Sequence, residues 1–383
     1  MAVAVLGFGT VGQGIWEMLP EEERGLVLVR PGKEDAPWKC GSLDDILADE
    51  GITVVAEAMG GTDPAFSYAR RILESGRSFV TANKVLVAAH GIELAALARE
   101  HGAAFLFSAA CGGGVPFLHN LGRAVNSGDE VFSFAGILNG TTNFILDAMQ
   151  RFGKDYDEVL KEAQALGYAE ADPTADVSGM DALRKVLLGC AVGFSVLPQG
   201  GTLCEGIESF TAADVRSLQS LGRCCRLIGS GGRAGNGVYA LVEPTVFPAA
   251  AVEASVQRNL NLARYTARRA GDITLIGQGA GRYPTASAVL RDIRGISEGE
   301  TAMLPADCRA AEADCGGLLR RYYVRCGAET AALLPEAERF DSEEGAVRLL
   351  TQPMSAEKMH KIAAERRQTG EKLFFAAWED TEC

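Results

Sequence analysis

The stretch "AVAVLGFGTVGQG" at residues 2–14 constrains this chain more than any other. An apolar run, Val3–Leu6, breaks directly into glycines at 7, 9 and 12, and a helical pattern follows near Val11–Leu19. The first glycine permits a sharp turn out of a strand. The second lets backbone approach a pyrophosphate, and the third lets the helix lie close on its strand. The helix start then offers unpaired N–H groups and the positive end of a dipole to phosphate charge. A G-x-G-x-x-G spacing alone is weak; a strand before it and a helix after it are the confirming context. The spacing therefore predicts a dinucleotide site on Gly7, Phe8, Gly9, Thr10, Val11 and Gly12.

The rest of the first 110 residues agrees. Strands are expected at Leu26–Val29, Thr53–Ala58, Ser78–Thr81 and Ala103–Phe107, with helices near Asp63–Glu74 and Gly91–Glu100. This alternation predicts an α/β fold with a Rossmann-type parallel sheet covered by helices. From Val131 the pattern changes to a strand, "VFSFAGIL", leading into "NGTTNFILDAMQRF" (139–152), with further helical stretches at Tyr156–Leu166 and Val177–Leu197. The glycine-rich "GSGGRAGNG" (229–237) reads as turns between short strands. After Cys315 come a strand-like "RRYYVRC" and a charged helix "SAEKMHKIAAERRQ", which look like a small separate unit. At 383 residues, two or three domains are expected. They are a nucleotide domain at 1–130, to which the chain returns around 278–300, an α+β domain at 131–277, and a small α+β piece at 316–383.

Composition excludes several classes. Acids outnumber bases 50 to 37, and no Lys/Arg run could neutralise a duplex, so no nucleic-acid partner is expected. The ten cysteines are scattered, without metal-ligand spacing, and read as thiols of a reducing compartment. No secretory leader and no membrane span are expected, because no stretch reaches about 18 uninterrupted apolar residues. The expected location is the cytoplasm.

Four places carry chemistry. In "LVLVRPGKED", Arg30 stands at the end of the second strand, where an acid would meet the ribose hydroxyls of NAD; a guanidinium there suits the 2′-phosphate of NADP, or else is a solvated surface group. "VTANKVLVA" ends the fourth strand with Asn83 and Lys84, close to where a cofactor would lie. "GILNGTTNFIL" (136–146) puts Asn139, Gly140, Thr141 and Thr142 at a helix start; one threonine would suffice as a cap, and the remainder suits binding. In "DVSGMDALRKVLLGCAVGFSVL" (176–197) the pattern predicts one long apolar helix capped by Asp176, its interior charges being Asp181, Arg184 and Lys185. Asp181 and Lys185 are one turn apart on one face. Exposed, such a pair contributes only a few tenths of a kcal/mol. On so apolar a helix it is expected to face a cleft and relay a proton during hydride transfer, with burial and the carboxylate opposing each other on the amine. Glu170 is a further carboxylate able to hold an ammonium.

The run "AQALGYAEADPTADVSGMDALRK" (163–185) resembles the signature of the homoserine dehydrogenase family, with "TANK", "EAMGG" (57–61), "GILNGTTNFIL" and "GQGAGRYPTASAV" (277–289) in that family's order. The resemblance covers roughly residues 1–300. It implies NAD(P)-dependent interconversion of L-homoserine and L-aspartate 4-semialdehyde, on the route to threonine, isoleucine and methionine, by a homodimer acting on this small-molecule substrate. It implies Lys185 as proton donor and acceptor with Asp181 as its partner. Glu170 would bind the substrate amino group with Gly140, Thr141, Tyr168 and Asn139; Lys84, a third catalytic residue, would lie near both cofactor and substrate, and Gly279 at the cofactor. Two departures stand out. In "FSAACGGGVP" (107–116) Ser108 replaces the glutamate with which relatives hold a sodium or potassium ion, which puts that ion in question here. The tail after Gly316 resembles a shortened or diverged ACT domain, from which weak or no inhibition by threonine is expected. The competing readings are another NAD(P) oxidoreductase for an amino-acid aldehyde or imine, and a catalytically silent nucleotide sensor.

Overall fold

A computed structural model describes residues 1–235, 237–343 and 345–380. The chain divides into two compact units, residues 1–132, 187–197 and 264–311, and residues 133–186, 198–263 and 312–383. The division passes through the helix Met180–Phe194 and the strand Leu260–Ala267.

The first unit is built on six parallel strands: β1 (Ala2–Leu6), β2 (Arg24–Leu28), β3 (Lys39–Cys40), β4 (Ile52–Glu57), β5 (Ser78–Thr81) and β6 (Phe105–Leu106). Their order is β3-β2-β1-β4-β5-β6, which is the doubly wound dinucleotide-binding order, with its switch point between β1 and β4. Helices α1 (Thr10–Met18), α2 (Leu43–Ala48), α3 (Ala65–Glu74) and α4 (Lys84–Glu100) connect them. Both faces of the sheet are covered, which is why β1 and β4 are almost continuously apolar and buried. The helix Arg282–Ser297 belongs to this unit and packs Ala286, Val289 and Ile293 into the same core as Val3, Val5, Ile15 and Val54. The sequence pattern lacked β3 and α2, and it began α4 seven residues late.

In the second sheet neighbouring strands run Val131–Ile137, Arg223–Ala234, Gly237–Pro248, Phe374–Trp378, Leu319–Cys326, Ala346–Thr351 and Glu336–Glu343. Two sequence expectations are corrected here. The glycines of 229–237 are not a string of turns: Gly229, Gly231 and Gly232 lie inside a long hairpin, paired with Val242, Ala240 and Tyr239. A Cβ on Gly229 would come within 2.7 Å of Val186 Cγ2, so glycine lets the helix approach the sheet. The C-terminal segment is not a separate unit. Phe374–Trp378 pairs in parallel with Gly237–Pro248 through Thr245↔Ala377 and Val246↔Trp378. Its element order is β-α-β-β-β-α-β, the third of the middle strands being only Met354–Ser355, with the first helix only Ala328–Ala331 and the second Ala356–Gln368.

Among the described residues no helix is long and apolar enough to cross a membrane, and the described cysteines form no disulfide.

Candidate active site

In the nucleotide unit the three glycines divide their roles as the spacing predicts. Gly7 has φ +90°, and a Cβ there would sit 2.9 Å from Met59 Cγ. At Gly12 a Cβ would lie 2.0 Å from Gly7 O, closer than any side chain tolerates. Gly9 faces open space and caps α1 with no side-chain bond, and no acid stands in the first turn of that helix. The N–H groups of Thr10, Val11 and Gly12 thus form the start of a helix suited to an anion. Phe8 packs against Trp38, ring centroids 5.3 Å apart, with Lys39 Nζ 5.0 Å above the Phe8 ring. Arg30 is exposed two residues beyond the end of β2.

Across the switch point a buried network fixes the loop after β4. Glu57 accepts hydrogen bonds from Thr81 Oγ1 at 2.5 Å and from the N–H groups of Met59 and Gly60 at 2.6 and 3.1 Å. Asn83 donates to Gly61 O at 2.6 Å and caps α4 by accepting from Leu86 N–H, which sets half-buried Lys84 at the first position of that helix. Gly113 and Gly279 meet backbone to backbone: a Cβ on Gly113 would be 2.5 Å from Gly279 O. Sequence reasoning passed over the Glu57–Thr81 bond, whose only signal was an acid ending an otherwise apolar strand.

The second unit holds the charged pair. Lys185 and Asp181 are 9% and 7% exposed. Lys185 Nζ donates to Asp181 Oδ2 at 2.7 Å and to Leu138 O at 2.5 Å. Asn139 Nδ2 donates to the same Asp181 oxygen at 2.9 Å and to Asp176 Oδ1 at 2.7 Å, while its own oxygen accepts from Thr142 N–H and caps the helix Gly140–Phe152. One lysine, two carboxylates and an amide therefore share one hydrogen-bonded cluster. Burial pushes the Asp176 carboxyl up, an effect opposed by the bond from Asn139. Thr141 donates to Tyr168 O at 2.6 Å, and the Tyr168 ring leans on Phe144. At Gly140 a Cβ would lie 2.7 Å from Asn259 O.

Two expectations fail here. The segment 176–197 is not one helix: Thr174–Val177 is a single turn, Gly179 (φ +84°) reverses the chain, and the long helix is Met180–Phe194. Asp176 is not its cap but a member of the cluster, a role that sequence reasoning missed because only the fold brings Asn139 to it. Glu170 is exposed, and its carboxylate makes no hydrogen bond or ion pair among the described residues; only its backbone oxygen is used, accepting from Gln164 Nε2.

A family model described as "Homoserine dehydrogenase, NAD binding domain" matches residues 7–108, and one described as "Homoserine dehydrogenase" matches residues 116–293. The Corynebacterium glutamicum homoserine dehydrogenase is 35% identical over 90% of this chain and 84% of its own. The chain belongs to the homoserine dehydrogenase family. The Lactococcus lactis homoserine dehydrogenase is 37% identical over 78% of this chain and 74% of its own. A crystal structure of the Thiobacillus denitrificans homoserine dehydrogenase superposes with a TM-score of 0.87 at 30% identity, covering 99% of this chain and 98% of that one. An enzyme, an oxidoreductase with an NAD-binding domain, is thereby established, and the silent-sensor reading is set aside.

The departure at Ser108 put the monovalent ion of relatives in question, and the side chains there do not supply the missing free carboxylate. The Ser108 hydroxyl is neutral and donates to Asp292 Oδ1 at 2.5 Å, and its N–H donates to Asp292 Oδ2 at 2.8 Å. Both oxygens of the nearest carboxylate are thus engaged. Burial pushes the Asp292 carboxyl from 3.8 up to about 7, the two bonds from Ser108 pulling the other way. A folded value above the unfolded one gives stability that is complete below about pH 4 and lost as pH rises through about 7. Asp292→Asn removes that dependence. Relative to wild type, the variant should gain up to roughly 4 kcal/mol between pH 4 and pH 8. Urea unfolding at several pH values measures it; a pH-independent difference would refute the assignment.

Proposed function

We propose that this chain interconverts L-homoserine and L-aspartate 4-semialdehyde with Lys185 as proton donor and acceptor, and that NADP is its preferred dinucleotide. The bound dinucleotide supplies or accepts the hydride. Lys185 takes the hydroxyl proton of homoserine during oxidation and returns it to the alkoxide oxygen during reduction. Asp181 orients the amine, and Leu138 O and Asn139 hold that pair in one geometry. The observation that carries the reading is this buried cluster, because breaking a buried ion pair costs about 3–5 kcal/mol, and chemistry is a stronger reason to keep one than stability is. Lys84 stands at the cofactor end of α4. Gly140 and Thr141 contribute the helix start beside Tyr168.

Glu170, exposed and without a side-chain partner among the described residues, is assigned to the substrate ammonium. Glu170→Ala should raise the KM for homoserine at least tenfold, with kcat changed much less, since a charge-assisted hydrogen bond contributes about 1.5–3 kcal/mol. An unchanged KM would remove the residue from this role.

NADP differs from NAD by the 2′-phosphate, and Arg30 is the guanidinium beyond β2 that suits it. Arg30→Ala should lower kcat/KM for NADP by about tenfold and leave that for NAD nearly unchanged. Homoserine oxidation with the two dinucleotides side by side tests both the preference and the residue. Equal losses would show that Arg30 only supports the fold.

A further inference from the structure

The turn Val177–Gly179 lies between the two carboxylates of the cluster, Asp176 on one side and Asp181 on the other. Besides its local backbone bonds to Pro173, Thr174 and Asp176, this turn is held by one short segment from further along the chain, Cys204–Ile207. Ile207 N–H donates to Val177 O at 2.9 Å, and Cys204 Sγ donates to Ser178 O at 3.3 Å. A Cβ on Gly206 would sit 2.2 Å from Val177 O, and one on Gly179 would sit 3.0 Å from Cys204 Sγ and 3.2 Å from Glu205 O. Backbone rests on backbone here, so the segment cannot shift without moving the turn.

The segment is in turn held from the C-terminal part of the chain. Glu205 is buried, and its carboxylate accepts two hydrogen bonds from Arg367 on the helix Ala356–Gln368, Nη1 to Oε2 at 2.9 Å and Nη2 to Oε1 at 2.5 Å. Such a two-pronged pair fixes orientation as well as distance. A few residues on, Arg325 Nη2 donates to Ser209 O at 2.5 Å, and its Nε donates to the fully buried Asp214 at 2.9 and 3.0 Å. The sequence between the catalytic turn and the next helix is therefore pinned at two points by residues 325 and 367.

We infer that Arg367 and Glu205 are positioning residues for the reaction: their bidentate pair sets the Cys204–Ile207 segment, which sets the turn that aims Asp181 and Lys185. The inference rests on the reading of Lys185 as the proton-transfer group. Neither residue touches the reacting atoms; each acts through the backbone of the turn. A displacement of reacting groups by about 1 Å can cost on the order of 10²-fold in rate. Relaxation of a segment that still keeps its backbone bonds should cost less, roughly tenfold.

The test uses the full chain. Arg367→Ala should lower kcat for homoserine oxidation about tenfold while leaving the KM for NADP unchanged, because the residues assigned to the dinucleotide lie in the other compact unit. Arg367→Lys, which keeps one donor to Glu205, should recover part of the loss. Glu205→Gln, which keeps the volume and one acceptor, gives a second measure should the alanine variant fold poorly. Wild-type kcat in both Arg367→Ala and Glu205→Gln would overturn the inference. So would equal losses in kcat and NADP affinity, which would mark general loosening. Lys185→Ala run alongside separates the two layers. If it is inactive while Arg367→Ala is normal, this inference alone falls; if it turns over normally, the assignment of Lys185 falls and the inference with it.

Discussion

Lys185→Ala should lower kcat for homoserine oxidation by about 10²–10⁴-fold, the usual loss when a positioned general acid–base group is removed. Affinity for the dinucleotide should stay close to wild type, since the amine bonds Asp181 and Leu138 O, and the residues assigned to the cofactor lie in the other compact unit. The variant has a second consequence that must be kept apart from the first. It leaves Asp181 buried beside a lost partner, and breaking a buried pair typically costs about 3–5 kcal/mol of stability. Lys185→Arg separates the two effects. A guanidinium keeps the charge beside Asp181 but does not give up its proton in a protein, so this variant should melt nearer to wild type and still fail to turn over. Thermal melts and kcat measured on the same preparations check the pair. Turnover of Lys185→Ala within a few-fold of wild type would sink the catalytic assignment.

What the sequence disclosed and what it hid follow a physical line. The glycine loop, β1, α1 and Ser78–Thr81 were legible because a short apolar run, a glycine spacing and a helix start are all local signals. The pairing of Asp181 with Lys185 was legible for the same reason, being one helical turn. β3 was not, because two residues carry no period. The break at Ser178–Gly179 was hidden inside an apolar run, since a glycine within such a run reads as a tolerated helix residue until its φ of +84° is seen. The bond between Ser108 and Asp292 joins positions 184 residues apart, and nothing local announces it. Asp176 looked like a cap because aspartate before an apolar run usually is one. Only the arrival of Asn139 from another helix start makes it part of the cluster. The tail's place in the larger sheet was hidden for a related reason: most of its strands pair with one another, and only Phe374–Trp378 reaches a partner far back in the chain, Gly237–Pro248.

A chain ended at Asp314 should not fold into a soluble enzyme. The cut removes Leu319–Cys326 and Phe374–Trp378, and with them the sheet partner of Gly237–Pro248. It discards Tyr322, Tyr323, Phe374 and Phe375, all fully buried, together with Val324 and Leu349. Each such side chain contributes about 1.5–3 kcal/mol by burial. A whole domain is stable by only about 5–15 kcal/mol. Gly237–Pro248 would lose its neighbour at Thr245 and Val246, and an unpaired strand edge beside stripped core side chains favours aggregation. Acids that now sit in buried pairs would also lose their partners: Asp214 its bonds from Arg325 and Tyr323, Glu205 its bonds from Arg367, and Glu243 its contact with His360 at 3.2 Å. Threonine sensitivity is therefore better sought in the full chain with point variants than by truncation. Soluble yield, gel filtration and circular dichroism of the shortened chain give the measurement. A monodisperse product with a cooperative melt and wild-type turnover would show that the C-terminal strands are an appendage, not a wall of the second unit.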